Sequence, residues 1–113
     1  MFKSQLEFLH HINDECAFLI RVSSKNSKTV FFDDEVLQRA CVRSLEVIGE
    51  AVKKLDMPYR ESHSSVEWKA IAGMRDILIH HYMGVDYELV WDVIENQIPN
   101  LKVKVEGLLK ELA

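Results

Sequence analysis

The chain contains 113 residues, of which 48% are hydrophobic and 28% are charged, and its net charge is −4 because 18 acidic residues outnumber 14 basic ones. This composition is typical of a globular domain with one core and excludes a disordered chain. The acidic balance argues against a protein that coats nucleic acid through bulk positive charge, although it leaves room for a small basic site. Four glycines and two prolines are too few for an all-β fold with many turns.

Neither a membrane span nor a signal peptide is predicted, because no apolar run is long enough and the N-terminus lacks a basic start. Cys16 and Cys41 are therefore expected to be reduced thiols, and their places in apolar helical stripes make them poor candidates for nucleophiles. The spacing of cysteines and histidines that would bind zinc does not occur. We predict one cytoplasmic domain over residues 1–113, with neither a metal nor a cofactor.

The first helix is predicted over residues 2–22, where apolar residues recur at spacings of three and four. Residues 23–32 are polar and then aromatic, which indicates a loop with Phe31 or Phe32 as an apolar plug beneath it. An acidic pair at positions 33–34 is suited to the N-cap and first turn of the next helix. The first part of the chain is thus predicted to be a helix, a loop and the start of a second helix.

The second helix is predicted to continue to about residue 55, because the residue before Pro58 disfavours the helical conformation. A second loop is predicted over residues 57–65. Ser64 and Glu67 make the S-x-x-E pattern of a capping box, which predicts that the third helix begins there.

Arg75 falls in the middle of the apolar face of the third helix, between Ile71 and Ile79, when about 100° of rotation is assigned to each residue. A guanidinium group in such a place costs free energy unless it is paired or opens onto a cleft. Two interpretations stay open. The side chain either reaches water or pairs with a carboxylate such as that of Asp92, or it belongs to a site that binds an anion.

His80 follows Arg75 near the predicted end of this helix, with Asp76 and Tyr82 close by in the sequence. Histidine is suited to catalysis because it can both accept and donate a proton near neutral pH. On an ideal helix, Arg75 and His80 would point about 140° apart. Either the helix unwinds near His80, or the site is assembled from two chains.

Two further helices complete the pattern. Gly84 marks a break, Asp86 is placed to cap the fourth helix, and Pro99 fits either a kink or the first turn of a fifth helix. Short connections between amphipathic helices predict an all-α fold, an antiparallel four- to five-helix bundle.

Residues 68–91 resemble the HepT-like branch of the HEPN superfamily, whose signature is an arginine, four residues, a histidine, any residue and a tyrosine. The residues that occupy this signature are Arg75, His80 and Tyr82. Upstream, residues 43–51 are similar to the second helix of that family, and downstream the Ile-Pro-x-Leu sequence at 98–101 also fits. Three blocks in the same order extend the resemblance over almost the whole chain.

The resemblance implies a helical bundle of HEPN type that forms a homodimer, in which the Arg–His motifs of both chains line a shared cleft. Members are toxins that act as metal-independent ribonucleases. Each is encoded beside a minimal nucleotidyltransferase antitoxin, which silences the toxin by transferring AMP from ATP onto the motif tyrosine. By position, Arg75 and His80 are the catalytic pair, and Tyr82 is the modified residue. Asp76 stands where asparagine is common, and its charge could orient either catalytic residue but also opposes phosphate.

Three hypotheses follow from these residues. The first is an endoribonuclease toxin that cleaves RNA, not DNA, and is held in check by its antitoxin. The second is a non-catalytic binding subunit of the nucleotidyltransferase, with Tyr82 as the substrate of that enzyme. The third is a dimeric helical bundle in which Arg75 is structural. The Arg–His pair favours the first hypothesis, and the acidic net charge favours the second.

Overall fold

The computed structural model describes residues 2–80 and 84–112. In chain order the elements are α1 (Phe2–Lys25), α2 (Lys28–Asp33), α3 (Glu35–Lys54), α4 (Met57–Ser62), α5 (Trp68–Ala72), α6 (Met74–Leu78), β1 (Ile79–His80), β2 (Gly84–Val85), α7 (Tyr87–Asn96) and α8 (Ile98–Leu112). This arrangement confirms the predicted all-α bundle. Among the described helices, none combines the length and the apolar character that crossing a membrane requires.

Helices α1 and α3 form the central pair of the bundle, and α1 also packs against α8. Gln5 Oε1 accepts a hydrogen bond from the Asp56 amide at 3.2 Å, and the buried Ser44 hydroxyl donates to Glu15 Oε1 at 2.7 Å. These two contacts show that α1 and α3 run antiparallel. The core between the helices is apolar, and its fully buried side chains include Leu9, Ile12, Leu19, Ile48, Ile94 and Val105.

A short helix, α2, occupies much of the segment 23–32, so the prediction of a loop there is wrong in part. The helix forms because the Ser27 hydroxyl accepts a hydrogen bond from a backbone amide of its first turn, at 3.2 Å. The predicted apolar plug is confirmed, and it is Phe31 rather than Phe32 that is completely buried. The ring centroid of Phe31 lies 5.0 Å from that of Trp91 on α7.

Two predicted boundaries around α3 have different outcomes. Asp34 caps α3 as expected, since its Oδ1 accepts a hydrogen bond from the Leu37 amide at 3.0 Å. The loop predicted over residues 57–65 is wrong for most of its length, because α4 occupies it. Pro58 ends the helical pattern in the sequence, yet it fits the first turn of α4, where no amide hydrogen is needed.

The predicted capping box at Ser64 and Glu67 is wrong. Helix α5 begins only at Trp68, and the residue before it, Glu67, makes no side-chain capping hydrogen bond. The connection is held instead by the buried Trp68 side chain, whose Nε1 donates to the His63 carbonyl at 3.0 Å. Burial of the indole ring, rather than a hydroxyl cap, therefore decides where this helix starts.

The last two helices follow the sequence pattern. Asp86 caps α7, since its Oδ1 accepts a hydrogen bond from the Leu89 amide at 3.1 Å. Helix α8 begins at Ile98, so Pro99 lies in its first turn and does not kink a longer helix.

We predict that Phe31→Ala lowers the free energy of unfolding by about 3–5 kcal/mol, because it removes buried apolar surface and leaves a cavity. Urea-induced unfolding followed by circular dichroism measures this change. Val36→Ala is the control, since Val36 on α3 is 79% exposed, and it should change the free energy by less than about 0.5 kcal/mol. Equal stability of the two variants would contradict the role of Phe31 in the core.

Candidate active site

The helix that carries Arg75 is much shorter than the sequence predicts. Gly73, with φ −89° and ψ 2°, separates α5 from α6, so the prediction of one continuous third helix is wrong. The backbone of Arg75 lies in α6, between the buried Met74 and the exposed Asp76. Met74 and Leu78 are both buried and lie one turn apart, so this face fixes α6 to the bundle.

The backbone of His80 lies in β1, because α6 ends at Leu78. Strand β1 pairs antiparallel with β2, and His80 lies opposite Gly84. Of the two alternatives that the sequence leaves open for Arg75 and His80, unwinding of the helix before His80 is what the structure shows. The angular separation of about 140° that an ideal helix would impose therefore does not apply here.

Strands β1 and β2 form a two-stranded ribbon, and two backbone features hold it at the start of α7. Gly84 has φ +80°, a conformation that L side chains rarely adopt, and none of the described residues outside its chain neighbours lies within 4 Å of where a Cβ would be. The Asp86 amide donates a hydrogen bond to the Leu78 carbonyl at 2.8 Å. The paired strands β1 and β2 are therefore joined to the end of α6 and to the start of α7.

Tyr82, the predicted site of modification, lies outside the residues that the structure describes. Asp76, the predicted supporting residue, is exposed on α6. Asp92, an alternative partner for Arg75, accepts a hydrogen bond at Oδ1 from Asn96 Nδ2 at 2.7 Å. The catalytic roles of Arg75 and His80, and the modification of Tyr82, stay predictions.

An apolar hollow of about 450 Å³ lies beside α6, bounded by α5 and α6 on one side and by α7 and α8 on the other. We call it the α6 hollow. Its apolar lining includes Ile71, Met74, Leu78, Val93, Ile98 and Leu101. Its exposed polar lining residues are Glu67, Asn96, Gln97, Asn100 and Lys104, which form its mouth. Sequence reasoning missed this hollow because its walls come from four helices, and the carboxamides of Asn96, Gln97 and Asn100 are only a weak local signal.

The cysteine thiols are buried in the core, as predicted. Burial raises the pKa of the Cys16 thiol to about 12 and that of the Cys41 thiol to about 11. Because the thiolate is the reactive form, neither group is suited to nucleophilic catalysis near neutral pH. Among the side chains that the structure describes, no three histidine, cysteine, aspartate or glutamate residues are placed to share a metal ion.

These pKa values predict a loss of stability at alkaline pH. The folded-state pKa of both thiols exceeds the ordinary value of 9.0. The stability that the protonated thiols contribute to the folded state is therefore complete below pH 9.0 and is lost as the pH rises toward 11 and 12. We expect the free energy of unfolding in urea to fall less between about pH 8 and about pH 10.5 for Cys41→Ala than for the unchanged chain. Identical pH dependence of the two proteins would contradict this account.

Similarity to known proteins extends over nearly the whole chain, and the family model described as "Ribonuclease HepT-like" matches residues 12–108. A protein of Caldanaerobacter subterraneus subsp. tengcongensis, provisionally named an RNase, is 50% identical over 96% of this chain and 97% of its own length. A similarly named protein of Methanocaldococcus jannaschii is 39% identical over 93% of this chain and 87% of its own length. A protein of Thermococcus cleftensis, provisionally named ribonuclease HepT, is 34% identical over 97% of this chain and 100% of its own length. No solved structure matches the chain significantly.

Proposed function

The chain belongs to the HepT-like ribonuclease family, and we propose that it is the toxin of a toxin–antitoxin pair, a metal-independent endoribonuclease that cleaves RNA. The family match over residues 12–108 carries this proposal, because it includes Arg75 and His80 at the spacing of the signature. RNA rather than DNA is the substrate, since the reaction uses the 2′-hydroxyl that distinguishes the two. We propose that the protein acts in the cytoplasm, where cellular RNA, the proposed substrate, is found.

The proposed chemistry needs a base for the 2′-hydroxyl and an acid for the departing 5′-oxygen. His80 is suited to either role, because imidazole titrates near neutral pH. The oxygen of the 2′-hydroxyl attacks the adjacent phosphorus while the bond from phosphorus to the 5′-oxygen breaks. The products are a 2′,3′-cyclic phosphate and a 5′-hydroxyl, with the proton of the 2′-hydroxyl transferred to the base and another delivered to the leaving oxygen.

Arg75 is proposed to bind the phosphate that is cleaved. A guanidinium group stays charged at all relevant pH values and offers a planar pair of donors that fits two phosphate oxygens. That charge would stabilise the additional negative charge that develops in the transition state. The exposed Asp76 follows Arg75 in α6 and is proposed to orient the guanidinium group or His80.

We further propose that two chains form a homodimer with both Arg–His motifs in one cleft, in which Arg75 of one chain and His80 of the other act on the same phosphate. Sedimentation equilibrium at micromolar concentration should give twice the mass of the chain. Mixed dimers of Arg75→Ala and His80→Ala chains should regain part of the cleavage activity, because one intact Arg75 and one intact His80 remain in the cleft. A monomer in solution would contradict the shared cleft, and so would mixed dimers that stay inactive.

The proposed partner is a minimal nucleotidyltransferase antitoxin that transfers AMP to Tyr82. The reaction joins the tyrosine oxygen to the α-phosphorus of ATP and releases pyrophosphate. The transferred phosphate would pair with an arginine such as Arg75 through charge-assisted hydrogen bonds. The adenosine would occupy space that an RNA substrate needs, so the modification would inhibit without unfolding the protein.

A second candidate function is a non-catalytic binding subunit of the same nucleotidyltransferase. The exposed carboxylate of Asp76, directly after Arg75, favours this alternative, because it opposes the approach of phosphate. The two functions differ in one measurable property. Only the first requires the purified chain to cleave RNA.

We predict that Arg75→Ala and His80→Ala each lower the rate of RNA cleavage by about 100-fold to 10,000-fold, as expected for groups that act in the transition state. Cleavage of cellular RNA by the purified chain, followed on gels with a metal chelator present, measures this loss. Arg39→Ala and His10→Ala replace the same residue types at exposed positions away from the motif and should retain full activity. An unchanged chain that binds the antitoxin but cleaves no RNA would contradict the first function and favour the second.

We also predict that the antitoxin, ATP and magnesium add about 329 Da to the chain for each AMP transferred, a covalent change that intact mass spectrometry detects. Tyr82→Phe should abolish the mass increase and leave the ribonuclease active, because the acceptor oxygen is removed. Tyr87→Phe, in the first turn of α7, is the matched control and should be modified normally. Tyr82→Phe chains that gain the full mass would show that the acceptor is another residue.

A further inference from the structure

We propose that the α6 hollow binds the base of an RNA nucleotide next to the cleaved bond, which makes it the site that sets the sequence preference of cleavage. This inference rests on the proposed ribonuclease function. It concerns residues outside the Arg–His motif, and the observations that carry it are the position, shape and polar groups of the hollow.

The position of the hollow places it beside the motif. Its lining includes Met74, whose Cα is about 3.8 Å from that of Arg75 because the two residues are consecutive. It also includes Leu78, two residues before His80, which is about 7 Å along an extended chain. A nucleotide adjacent to a phosphate bound at the motif therefore has this hollow within reach.

The shape and lining suit an aromatic base. Its volume of about 450 Å³ lies in the range of about 300–1,000 Å³ that is usual for small-molecule sites. The walls are largely apolar, and the half-buried Ile71 and Leu89 present apolar surface that can pack against the faces of a base. Ribonucleases that act on unpaired RNA must hold such bases out of the stack, and apolar walls provide the contact that replaces stacking.

The polar groups at the mouth suit the edge of a base rather than a phosphate. Gln97 and Asn100 are exposed, and their carboxamides make no hydrogen bond within the described part of the chain. A carboxamide offers both a donor and an acceptor, as base edges require. Glu67 and Lys104 add one charge of each sign, and Lys104 Nζ already donates to the Ser65 carbonyl at 2.7 Å. The mouth is therefore neutral overall, which favours an uncharged base.

The experiment measures binding of 2′-O-methyl hexanucleotides, which the chain cannot cleave because the attacking hydroxyl is blocked. Each hexanucleotide carries one abasic residue at a different position. We expect the abasic residue to weaken binding at one position only. The loss should be about tenfold or more, which is what the packing of one base contributes to binding. The position should adjoin the bond that is cut in the matching all-ribose hexanucleotide.

Variants in the lining of the α6 hollow test whether the base at that position binds in the hollow. Ala70→Leu adds bulk at an exposed residue of the lining and should weaken binding of the intact hexanucleotide to the level of the abasic one, with no further loss when the two changes are combined. The double variant Gln97→Ala/Asn100→Ala should reduce discrimination among the four bases at that position about tenfold. Val103→Leu is the control, since Val103 is 68% exposed on α8 and does not line the hollow, and it should bind as the unchanged chain does.

The outcomes separate this inference from the proposed function. Base-dependent binding that is unchanged by Ala70→Leu would overturn the inference, even if the chain cleaves RNA. Absence of any base-dependent binding would overturn it as well. Base-dependent binding that Ala70→Leu abolishes, in a chain that cleaves RNA next to that base, would support the inference. If the same binding occurs but no RNA is cleaved, the ribonuclease function fails and the hollow is a site that binds a base without setting a cleavage preference. If Ala70→Leu changes the sedimentation of the chain but not oligonucleotide binding, the hollow is a contact between copies and the inference is wrong.

Discussion

The hydrogen bond from the Asp86 amide to the Leu78 carbonyl, at 2.8 Å, is the interaction on which the geometry of the candidate site depends. In a continuing α-helix, the Leu78 carbonyl would accept from the amide four residues later. It accepts instead from Asp86, so the helix and the ribbon are alternatives for the same carbonyl group. Asp86 also caps α7, and one residue therefore ends the site segment and starts the next helix.

The rest of the bundle makes this arrangement possible. Helix α6 has only five residues, which is far too short to be stable on its own. It is held because Met74 and Leu78 are buried and α6 packs against α3 and α7, which belong to the frame formed by the longer helices. The site residues thus lie on short elements whose positions are set by packing, and not on a loop that is free at both ends.

The sequence predicts the frame well because the frame depends on local patterns. The stripe of α1 and the caps at Asp34 and Asp86 follow from residue types at fixed spacings. The sequence predicts a buried aromatic residue at position 31 or 32, and only the fold selects Phe31. The break at Gly73 and the two-residue strands are not predictable in this way. Apolar residues keep a helical spacing through the break because α5 and α6 both face the same core. Strands of two residues form only when the fold brings a partner strand close. The spacing of Arg75 and His80 could therefore be recognised from the sequence, whereas the unwinding between them could only be left as one of two alternatives.

The central claim is that the backbone conformation of the ribbon positions His80 for RNA cleavage, and Gly84 tests it most directly. Gly84 has φ +80°, and an added Cβ would meet no atom of the described residues within 4 Å, so substitution there perturbs the backbone without a clash against them. The account predicts that the cleavage rate falls from Gly84 through Gly84→Asn to Gly84→Val, because asparagine tolerates this conformation better than a β-branched residue. Gly107→Val, on α8 with open space around it, should retain the full rate. A Gly84→Val chain that cleaves RNA as fast as the unchanged chain would contradict the claim.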